Sequence, residues 1–317
     1  MTLTQLKYII AVADSRTFAA AASVCNVTQP TMSMQIQKLE DGLGVTIFDR
    51  SRSPVRITEI GEKIISQGRN ILREANRVKE IINDESNNFT GQFKLGIIPT
   101  VAPLLLPYFL NDFLDSYPEI KVTIDELHTK TILDYLERDI IDAGIIALPV
   151  ENEYLAQIPL YEEEFFGFVS ENHRLASKKK LNAEDLSPED LLLLKEGHCL
   201  RDQVLQICNS DETRNGHSIV FEAGSLETLT NLVQSGYGMT LLPAMLKPQF
   251  TNGKSHFVKE FEGPKPKRTI GIIHQKSYLK KNIIEALTHT ITNGVSQNEM
   301  AKIVQSALGK KSEAVIV

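Results

Sequence analysis

The first 58 residues place hydrophobic and polar positions in short runs that predict three helices followed by a β-wing. Residues 2–15 carry apolar side chains at helical spacing, and an alanine-rich helix is predicted at Phe18–Val24. A third helix is predicted at about Pro30–Leu43, with Thr28 suited to cap it and Pro30 suited to its first turn. Two short helices joined by a tight turn, the second with small polar side chains near its start, are typical of a helix-turn-helix.

The segment Val45–Ile60 is predicted to form the wing, and it carries three arginines, Arg50, Arg52 and Arg56. Guanidinium groups bind backbone phosphates, whereas small polar side chains at a helix start reach base edges. The alternative is an exposed basic loop on a protein of another kind. After a helix-turn-helix, the wing favours binding to double-stranded DNA. The predicted DNA-contacting residues are Gln29, Pro30, Thr31, Ser33, Arg50 and Arg52.

A long polar helix is predicted from Glu59 to Asn83. Apolar or small residues recur along it at intervals of three and four, as in a coiled-coil seam: Ile64, Gly68, Ile71, Ala75, Val78 and Ile82. A helix with so narrow an apolar stripe needs a partner, so we expect a dimer. The alternative is a helix that lies on its own effector domain. The polar residues 83–91 are predicted to be a linker.

Beyond residue 91 the pattern predicts alternating strands and helices, which is typical of an α/β fold with a largely parallel sheet. The first predicted elements are strand Gln92–Ile98, helix Pro103–Tyr117, strand Lys121–Leu127, helix Leu133–Arg138 and strand Ala143–Ala147. The later ones are a second unit that begins at Phe165–Val169, a returning strand at Arg268–His274 and a helix at Asn282–Thr292. From about Gly294 the chain is polar and is expected to fray or to form a small helix.

The composition, with 42% hydrophobic and 23% charged residues, is that of a globular protein. No 18-residue apolar run and no secretory signal are found, so we expect a cytoplasmic protein without membrane association. The net charge of −6 is uneven, because residues 1–90 carry +1 and the remainder carries −7. Contact with nucleic acid is therefore expected to be local and confined to the N-terminal part.

Residues 195–208, KEGHCLRDQVLQIC, hold two of the three cysteines. The apolar positions of this segment predict a helix with one buried face. If that helix is continuous, a rise of about 1.5 Å per residue separates Cys199 and Cys208 by roughly 13 Å. A disulfide needs Cα atoms about 4.4–6.8 Å apart, so the pair cannot close without local unfolding. This arrangement suggests a thiol switch, whereas Cys25 is interpreted as an inert core residue.

Several stretches resemble the LysR-type transcriptional regulators: LTQLKYIIAVADSRTFAAAASVCNVTQPTMSMQIQKLEDGLGVTIFDR, RITEIG and VQSGYGMTLLPA. The resemblance covers nearly the whole chain. It implies an all-α winged helix-turn-helix over residues 1–58, a linker dimerisation helix and hinge over 59–90, an effector domain over 91–300 and a tail over 301–317. The effector domain would have the periplasmic-binding-protein fold with two α/β subdomains, one formed by 91–162 with 268–300 and the other by 163–267. The implied partners are promoter DNA, further copies of the chain in a dimer or tetramer, and RNA polymerase.

Within that family, EGHCLRDQVLQIC resembles the segment of the members that sense hydrogen peroxide. This closer resemblance implies that Cys199 is the peroxide-reactive thiol, that Cys208 is its disulfide partner, and that antioxidant genes are controlled. The residues that it places around the peroxide and the thiolate are Thr100, Thr129, His198, Asp202 and Arg268. An unperturbed thiol is mostly protonated, so a helix start, His198 or Arg268 is expected to favour the thiolate.

Other interpretations remain open from the residues alone. Cys208, His198 and Thr100 each have a purely structural alternative, as a core, capping or turn residue. The chain could be a LysR-type regulator that binds a small metabolite in its effector cleft, or a dithiol peroxidase. A peroxidase has no need of the first 58 residues, so we expect no enzyme. The histidines lack metal-ligand spacing and no nucleotide-binding motif occurs, so neither metal nor cofactor is expected.

Overall fold

The computed structural model describes residues 1–51, 54–84, 89–187, 190–208, 222–250, 253–278 and 280–312. The chain divides into two units, residues 1–88 and 89–317. Three predicted features lie outside the described residues, namely Arg52, the linker residues 85–88 and the end of the tail, residues 313–317.

The N-terminal unit is a helix-turn-helix followed by a small wing and a long helix. Its elements are α1 (Leu3–Ser15), α2 (Phe18–Val24), α3 (Gln29–Leu43), β1 (Phe48–Asp49), β2 (Arg56–Ile57) and α4 (Glu59–Asp84). Thr2, Thr17 and Thr28 start the first three helices, because each side chain accepts a hydrogen bond from a first-turn backbone N–H. The wing is one antiparallel pair, in which Phe48 lies opposite Ile57. The predicted winged helix-turn-helix is confirmed.

Helix α4 confirms the predicted long helix, but the first part of its apolar stripe packs within its own unit. Ile64 and Ile71 contact the core that α1, α2 and α3 form. A Cβ at Gly68 would lie 3.4 Å from Cδ2 of Leu6, so the two helices approach closely there. Farther along the stripe, Val78 is 63% exposed. This later part is where a partner chain is expected, and dimerisation through α4 remains a prediction.

The C-terminal unit is an α/β fold. Its first elements are β3 (Gly91–Ile97), α5 (Ala102–Leu105), α6 (Leu110–Ser116), β4 (Ile120–Glu126), α7 (Thr129–Glu137), β5 (Ala143–Leu148), β6 (Leu155–Val169) and β7 (Lys180–Leu181). The later ones are β8 (Leu193–Leu194), α8 (Cys199–Ile207), β9 (Glu222–Ala223), α9 (Leu226–Gln234), β10 (Met239–Pro243), β11 (Val258–Phe261), β12 (Lys267–Gln275) and α10 (Lys281–Ser312). Short 3-10 helices at Leu106–Tyr108, Ala183–Asp185, Ala244–Phe250 and Ser255–Phe257 join some of them.

The main sheet is mixed, and the prediction of a largely parallel sheet was wrong. Strands β4, β3 and β5 are parallel neighbours, but β12 lies antiparallel between β5 and β6. Strands β10 and β11 are antiparallel to β6, and β11 is parallel to β7. An apolar run does not encode the direction of a strand, because parallel and antiparallel buried strands share the same pattern.

Strand β6 connects two halves of this unit. Residues 155–164 pair with β12, and Phe165–Val169 pair with β10. Each half has its own hydrophobic core. The first core includes Phe93, Leu95, Phe109, Ile132, Ile145, Ile272 and Leu287. The second core includes Phe166, Phe168, Leu200, Val204, Leu229, Val233 and Leu241.

Two predicted helices differ in the structure. The helix predicted at Pro103–Tyr117 is interrupted, since Pro107 lacks the N–H that a continuous helix needs. Helix α10 continues to Ser312 instead of ending near Thr292. Gly294 permits this continuation, because a Cβ there would collide with the carbonyl oxygen of Tyr108. Among the described residues no helix has the length and apolar character needed to cross a membrane.

Candidate redox site and DNA-binding surface

Helix α8 carries the predicted pair of cysteines at its two ends. Cys199 is its first residue and Cys208 is the residue that caps its C-terminus, which confirms the predicted helix. Both are free thiols, as is Cys25. With a rise of about 1.5 Å per residue, the two Cα atoms lie roughly 13 Å apart. Leu200 and Val204, between them, are each 2% exposed and belong to the second core.

The two thiols have different surroundings. Cys199 packs against the first core and Cys208 against the second. Burial raises the pKa of Cys208 to about 11, so this thiol stays protonated at neutral pH and is a weak nucleophile. Cys199 lies at the N-terminus of α8, where the backbone N–H groups favour an anion. The two thiols therefore differ in the core they pack against and in the end of the helix they occupy.

A pair of histidine rings lies beside Cys199. His198 immediately precedes α8, and His128 immediately precedes α7; their ring centroids are 4.5 Å apart in an edge-to-face arrangement. His198 is only 4% exposed, and within the described part of the chain neither of its nitrogens has a hydrogen-bond partner. The same holds for Nδ1 of His128 and Oγ1 of Thr129. These four unpaired atoms come from two helix starts.

Burial is the main cause that lowers the pKa of His198, and charges on His128 and Lys195 lower it further. The ring is therefore neutral at neutral pH, with one donor nitrogen and one acceptor nitrogen. His128 was missed as a site residue. The residues around His128 give no indication of a role in the site, because its contact with His198 depends on the approach of two segments 70 positions apart.

Arg268, another predicted site residue, is held by a buried ion pair. Its Nε and Nη2 lie 2.8 and 2.7 Å from Oε2 of Glu163, the residue directly opposite on β6. Its Nη1 donates to Oγ1 of Thr100 at 3.2 Å, and its Nη2 donates to the Thr100 carbonyl at 3.4 Å. All three side chains are buried. The charge of Arg268, which was expected to act on Cys199, is thus compensated by a carboxylate.

Glu163 was also missed, although a signal for it exists. It is the middle residue of the run Glu162–Glu164, and strand alternation turns every second side chain inward. Its Oε1 has no hydrogen-bond partner among the described residues, nor has the hydroxyl of Tyr161, two positions away. Burial and the negative charge of Glu163 raise the pKa of Tyr161. The buried polar chain thus extends from Thr100 through Arg268 and Glu163 towards Tyr161.

The predicted redox residues therefore fall into two groups. Thr100 and Arg268 are hydrogen-bonded at the end of β3 and the start of β12. His198, Cys199 and Asp202 lie at the start of α8, and Thr129 begins α7 beside His128. No cluster of three or more His, Cys, Asp or Glu side chains that could bind a metal occurs among the described residues.

The predicted DNA-binding residues lie around the start of α3. Gln29, Pro30 and Thr31 are exposed, and the hydroxyl of Thr28 caps the helix by accepting from the N–H of Thr31. Ser33 is half-buried, and its hydroxyl accepts a hydrogen bond from Arg50 at 3.2 Å.

Arg50 is held by contacts within the N-terminal unit. Its Nη2 lies 2.7 Å from Oε2 of Glu40, and its guanidinium lies 5.1 Å from the Phe18 ring. The other oxygen of Glu40 accepts from the backbone N–H groups of Ile47 and Phe48. Glu40 was not among the residues predicted from the sequence. Its hydrogen bonds connect α3 to the wing, and Arg50 compensates its buried charge.

Comparison with known proteins identifies the family. Residues 3–62 match the family described as "Bacterial regulatory helix-turn-helix protein, lysR family", and residues 86–295 match the "LysR substrate binding domain". The chain belongs to the LysR family of transcription regulators. This family is not a class of enzymes.

Within the family the chain is similar to OxyR proteins. It is 35% identical over 294 residues to the "DNA-binding transcriptional dual regulator OxyR" of Escherichia coli, covering 92% of this chain and 95% of that protein. It is 34% identical over 298 residues to the "Hydrogen peroxide-inducible genes activator" of Haemophilus influenzae, covering 93% and 97%.

Solved structures agree. A full-length OxyR mutant from Pseudomonas aeruginosa matches with a TM-score of 0.73 and 36% identity, over 92% of this chain and 98% of that one. A hydrogen peroxide-bound OxyR mutant from Corynebacterium glutamicum matches with a TM-score of 0.60 and 31% identity, over 93% of each chain. The expected LysR architecture, a winged helix-turn-helix with an α/β effector domain, is confirmed.

Proposed function

We propose that this LysR-family regulator senses hydrogen peroxide through Cys199 and Cys208 and controls antioxidant genes by binding their promoters. The observation that carries the proposal is a single helix, α8, with a free thiol at each end and a buried face between them. The similarity to a protein named "Hydrogen peroxide-inducible genes activator" supports it.

In the proposed first step, the Cys199 thiolate attacks one oxygen of hydrogen peroxide. An S–O bond forms, the O–O bond breaks, and the leaving hydroxide takes a proton to become water, which leaves a sulfenic acid on Cys199. Thr100, Thr129, His198 and Asp202 would hold the peroxide, because hydroxyl, imidazole and carboxylate groups match its donors and acceptors.

In the second step, the Cys208 sulfur attacks the sulfenic sulfur. An S–S bond forms, the S–O bond breaks, and the hydroxide leaves as water with the proton of the second thiol. The two thiols together lose two electrons and two protons, and one peroxide becomes two waters. Cellular dithiol reductants of the cytoplasm would reverse the step.

The signal would be the loss of α8. The two Cα atoms must approach from roughly 13 Å to about 4.4–6.8 Å, which a helix does not allow. Leu200 and Val204 would therefore leave the second core. We propose that this rearrangement repacks the effector domains of a dimer or tetramer and moves the DNA-binding heads, with RNA polymerase as a further partner. The domain boundaries near residues 58, 90 and 300, and the two effector subdomains, belong to this proposal.

For DNA recognition, we propose that Gln29, Pro30, Thr31 and Ser33 contact bases while the wing contacts phosphates. Arg52 is the wing arginine whose replacement by Ala should weaken binding to all sequences and reduce its salt dependence. Arg50 is expected to contribute to the wing's position as well, because Glu40 holds it.

Promoter-driven transcription measured before and after a peroxide pulse tests the proposed function. The Cys199→Ser protein is expected to bind DNA and to give no response, whereas Cys25→Ser, the matched control, responds like the unaltered protein. A full response without Cys199 would refute the peroxide mechanism.

Transcription with added metabolites, peroxide turnover and DNA binding, each measured on the same proteins, separate the two alternatives. A response that needs a small metabolite and persists in the Cys199→Ser protein would indicate a metabolite-binding regulator. Sustained peroxide consumption with thioredoxin, together with no DNA binding at low salt, would indicate a peroxidase.

A further inference from the structure

We propose that His128 is a positioning residue of the peroxide-reactive site, where its ring fixes the orientation of the His198 ring. The inference rests on the proposed function and deepens it, since His198 adjoins Cys199. It assigns a role to a residue that the sequence pattern did not single out.

The edge-to-face contact of His128 and His198, with centroids 4.5 Å apart, joins the starts of α7 and α8. The side of Gly197 where a side chain would stand also faces this ring, because a Cβ added there would lie 3.8–4.0 Å from three atoms of the His128 ring, and Gly197 has a φ of +97°. The His128 ring therefore locates the backbone at which α8 begins.

The two ring nitrogens of His198 make no hydrogen bond with a described residue, although His198 is only 4% exposed. Buried polar atoms are normally hydrogen-bonded, so unpaired ones at a reactive site indicate a polar ligand. Within the described part of the chain, the orientation of the His198 ring is therefore fixed by packing and not by hydrogen bonds. The ring that supplies this packing is His128.

The charge state of His198 depends on its neighbours as well. The ionisable groups whose charges act on it are His128 at the start of α7 and Lys195 in the loop before α8, and Asp202 lies in the first turn of α8. Burial opposes a charge on His198, and the positive charges of His128 and Lys195 oppose it further. A neutral imidazole both donates and accepts, as hydrogen peroxide does, whereas a protonated one only donates. His128 and Lys195 therefore keep the His198 imidazole neutral, and able to both donate and accept, down to a lower pH.

Three variants of the full chain separate the steric and electrostatic roles. His128→Phe keeps an aromatic ring against His198 and removes the ionisable imidazole. His128→Ala removes the ring as well. Lys195→Gln changes an exposed residue and leaves the ring contact intact. His256→Phe, at a histidine that pairs with Glu171 instead, is the matched control.

Two quantities are measured on each protein. The titration of His198 is followed by deuterium exchange at its Cε1 carbon, detected by mass spectrometry of the peptide that contains it. The rate of Cys199 oxidation is followed from pH 5 to pH 9 by quenching with an alkylating reagent after a stoichiometric peroxide pulse.

For His128→Phe and Lys195→Gln, we expect the His198 titration and the lower pH limit of oxidation to move together to higher pH. For His128→Ala, we expect oxidation to slow by about 10-fold or more even above the His198 titration, because misplacement of a reacting group by about 1 Å has effects of that size. His256→Phe should change neither quantity.

An unchanged His198 titration in both His128→Phe and Lys195→Gln would overturn the electrostatic role. Unchanged oxidation rates in His128→Ala above that titration would overturn the steric role. If His128→Ala does not fold, His128→Leu fills the same space without a flat ring, and unchanged oxidation rates in that variant above the His198 titration would overturn the steric role in its place. Failure of the proposed function itself has a different signature, in which peroxide leaves Cys199 unmodified in the unaltered chain.

Discussion

Val204→Ala tests whether α8 loses its packing against the second core when the disulfide forms. Val204 is 2% exposed in the second core, and the substitution removes two buried methyl groups. At about 0.8 kcal/mol for each group, with a small addition for the cavity, the loss is about 2 kcal/mol. The reduced form, in which α8 is packed, bears this loss, whereas a disulfide form that has released Val204 does not. Disulfide formation therefore becomes more favourable.

For a two-electron couple, 1.4 kcal/mol corresponds to about 30 mV, so the midpoint potential should become more negative by about 40 mV. The assay equilibrates the protein in glutathione or dithiothreitol redox buffers and measures the fraction of the Cys199–Cys208 disulfide by mass spectrometry.

Val233→Ala is the matched control, since Val233 is fully buried in the same core but lies on α9. It should lower the free energy of unfolding by a similar amount and leave the potential unchanged. Equal potentials for Val204→Ala and the unaltered protein, despite a confirmed loss of stability, would refute the release of α8. Equal shifts for both variants would instead indicate a general loosening of the core.

Three further predictions concern stability. Glu163→Gln leaves the guanidinium of Arg268 buried without its partner, since the two side chains are 2% and 1% exposed, and should lower the free energy of unfolding in urea by about 3–5 kcal/mol; an unchanged urea midpoint would contradict the buried ion pair. Thr28→Ala removes the cap of α3 and should destabilise the N-terminal unit by about 0.5–2 kcal/mol in thermal or urea unfolding, with weaker DNA binding as a result; a fully stable variant would show that the cap is dispensable. Burial raises the pKa of Cys208 from about 9 to about 11, so the folded state holds this proton more tightly than the unfolded state does. The contribution of this proton to stability is complete below pH 9 and is lost as pH rises through 11, and the free energy of unfolding should fall over that range. The reduced Cys208→Ser protein should lack that part of the decline, and identical declines in the two proteins would contradict the burial of this thiol.

Local signals made the N-terminal unit predictable. The cap Thr28 and the helical spacing of apolar residues act within a few positions, and the structure follows them closely. The sheet was less predictable because strand direction depends on distant partners. The first ten residues of β6 were missed, since Pro159 and three consecutive glutamates hide the strand pattern.

The site shows the same division. Cys199 and Cys208 were found from their identity and spacing within one helix. Glu163 and His128 were not, because each acquires its role from a residue 70 or more positions away. Glu163 needs the register of β6 against β12, which brings it opposite Arg268. His128 needs the starts of two helices to meet.

In the proposed switch, hydrogen peroxide joins the two ends of α8. The decisive measurement is peptide mapping by mass spectrometry after one equivalent of peroxide is added to the reduced full chain. We expect a stoichiometric Cys199–Cys208 disulfide, reversed by dithiothreitol, with Cys25 still alkylatable. Two free thiols at positions 199 and 208 after the pulse, or a disulfide that involves Cys25 instead, would contradict it.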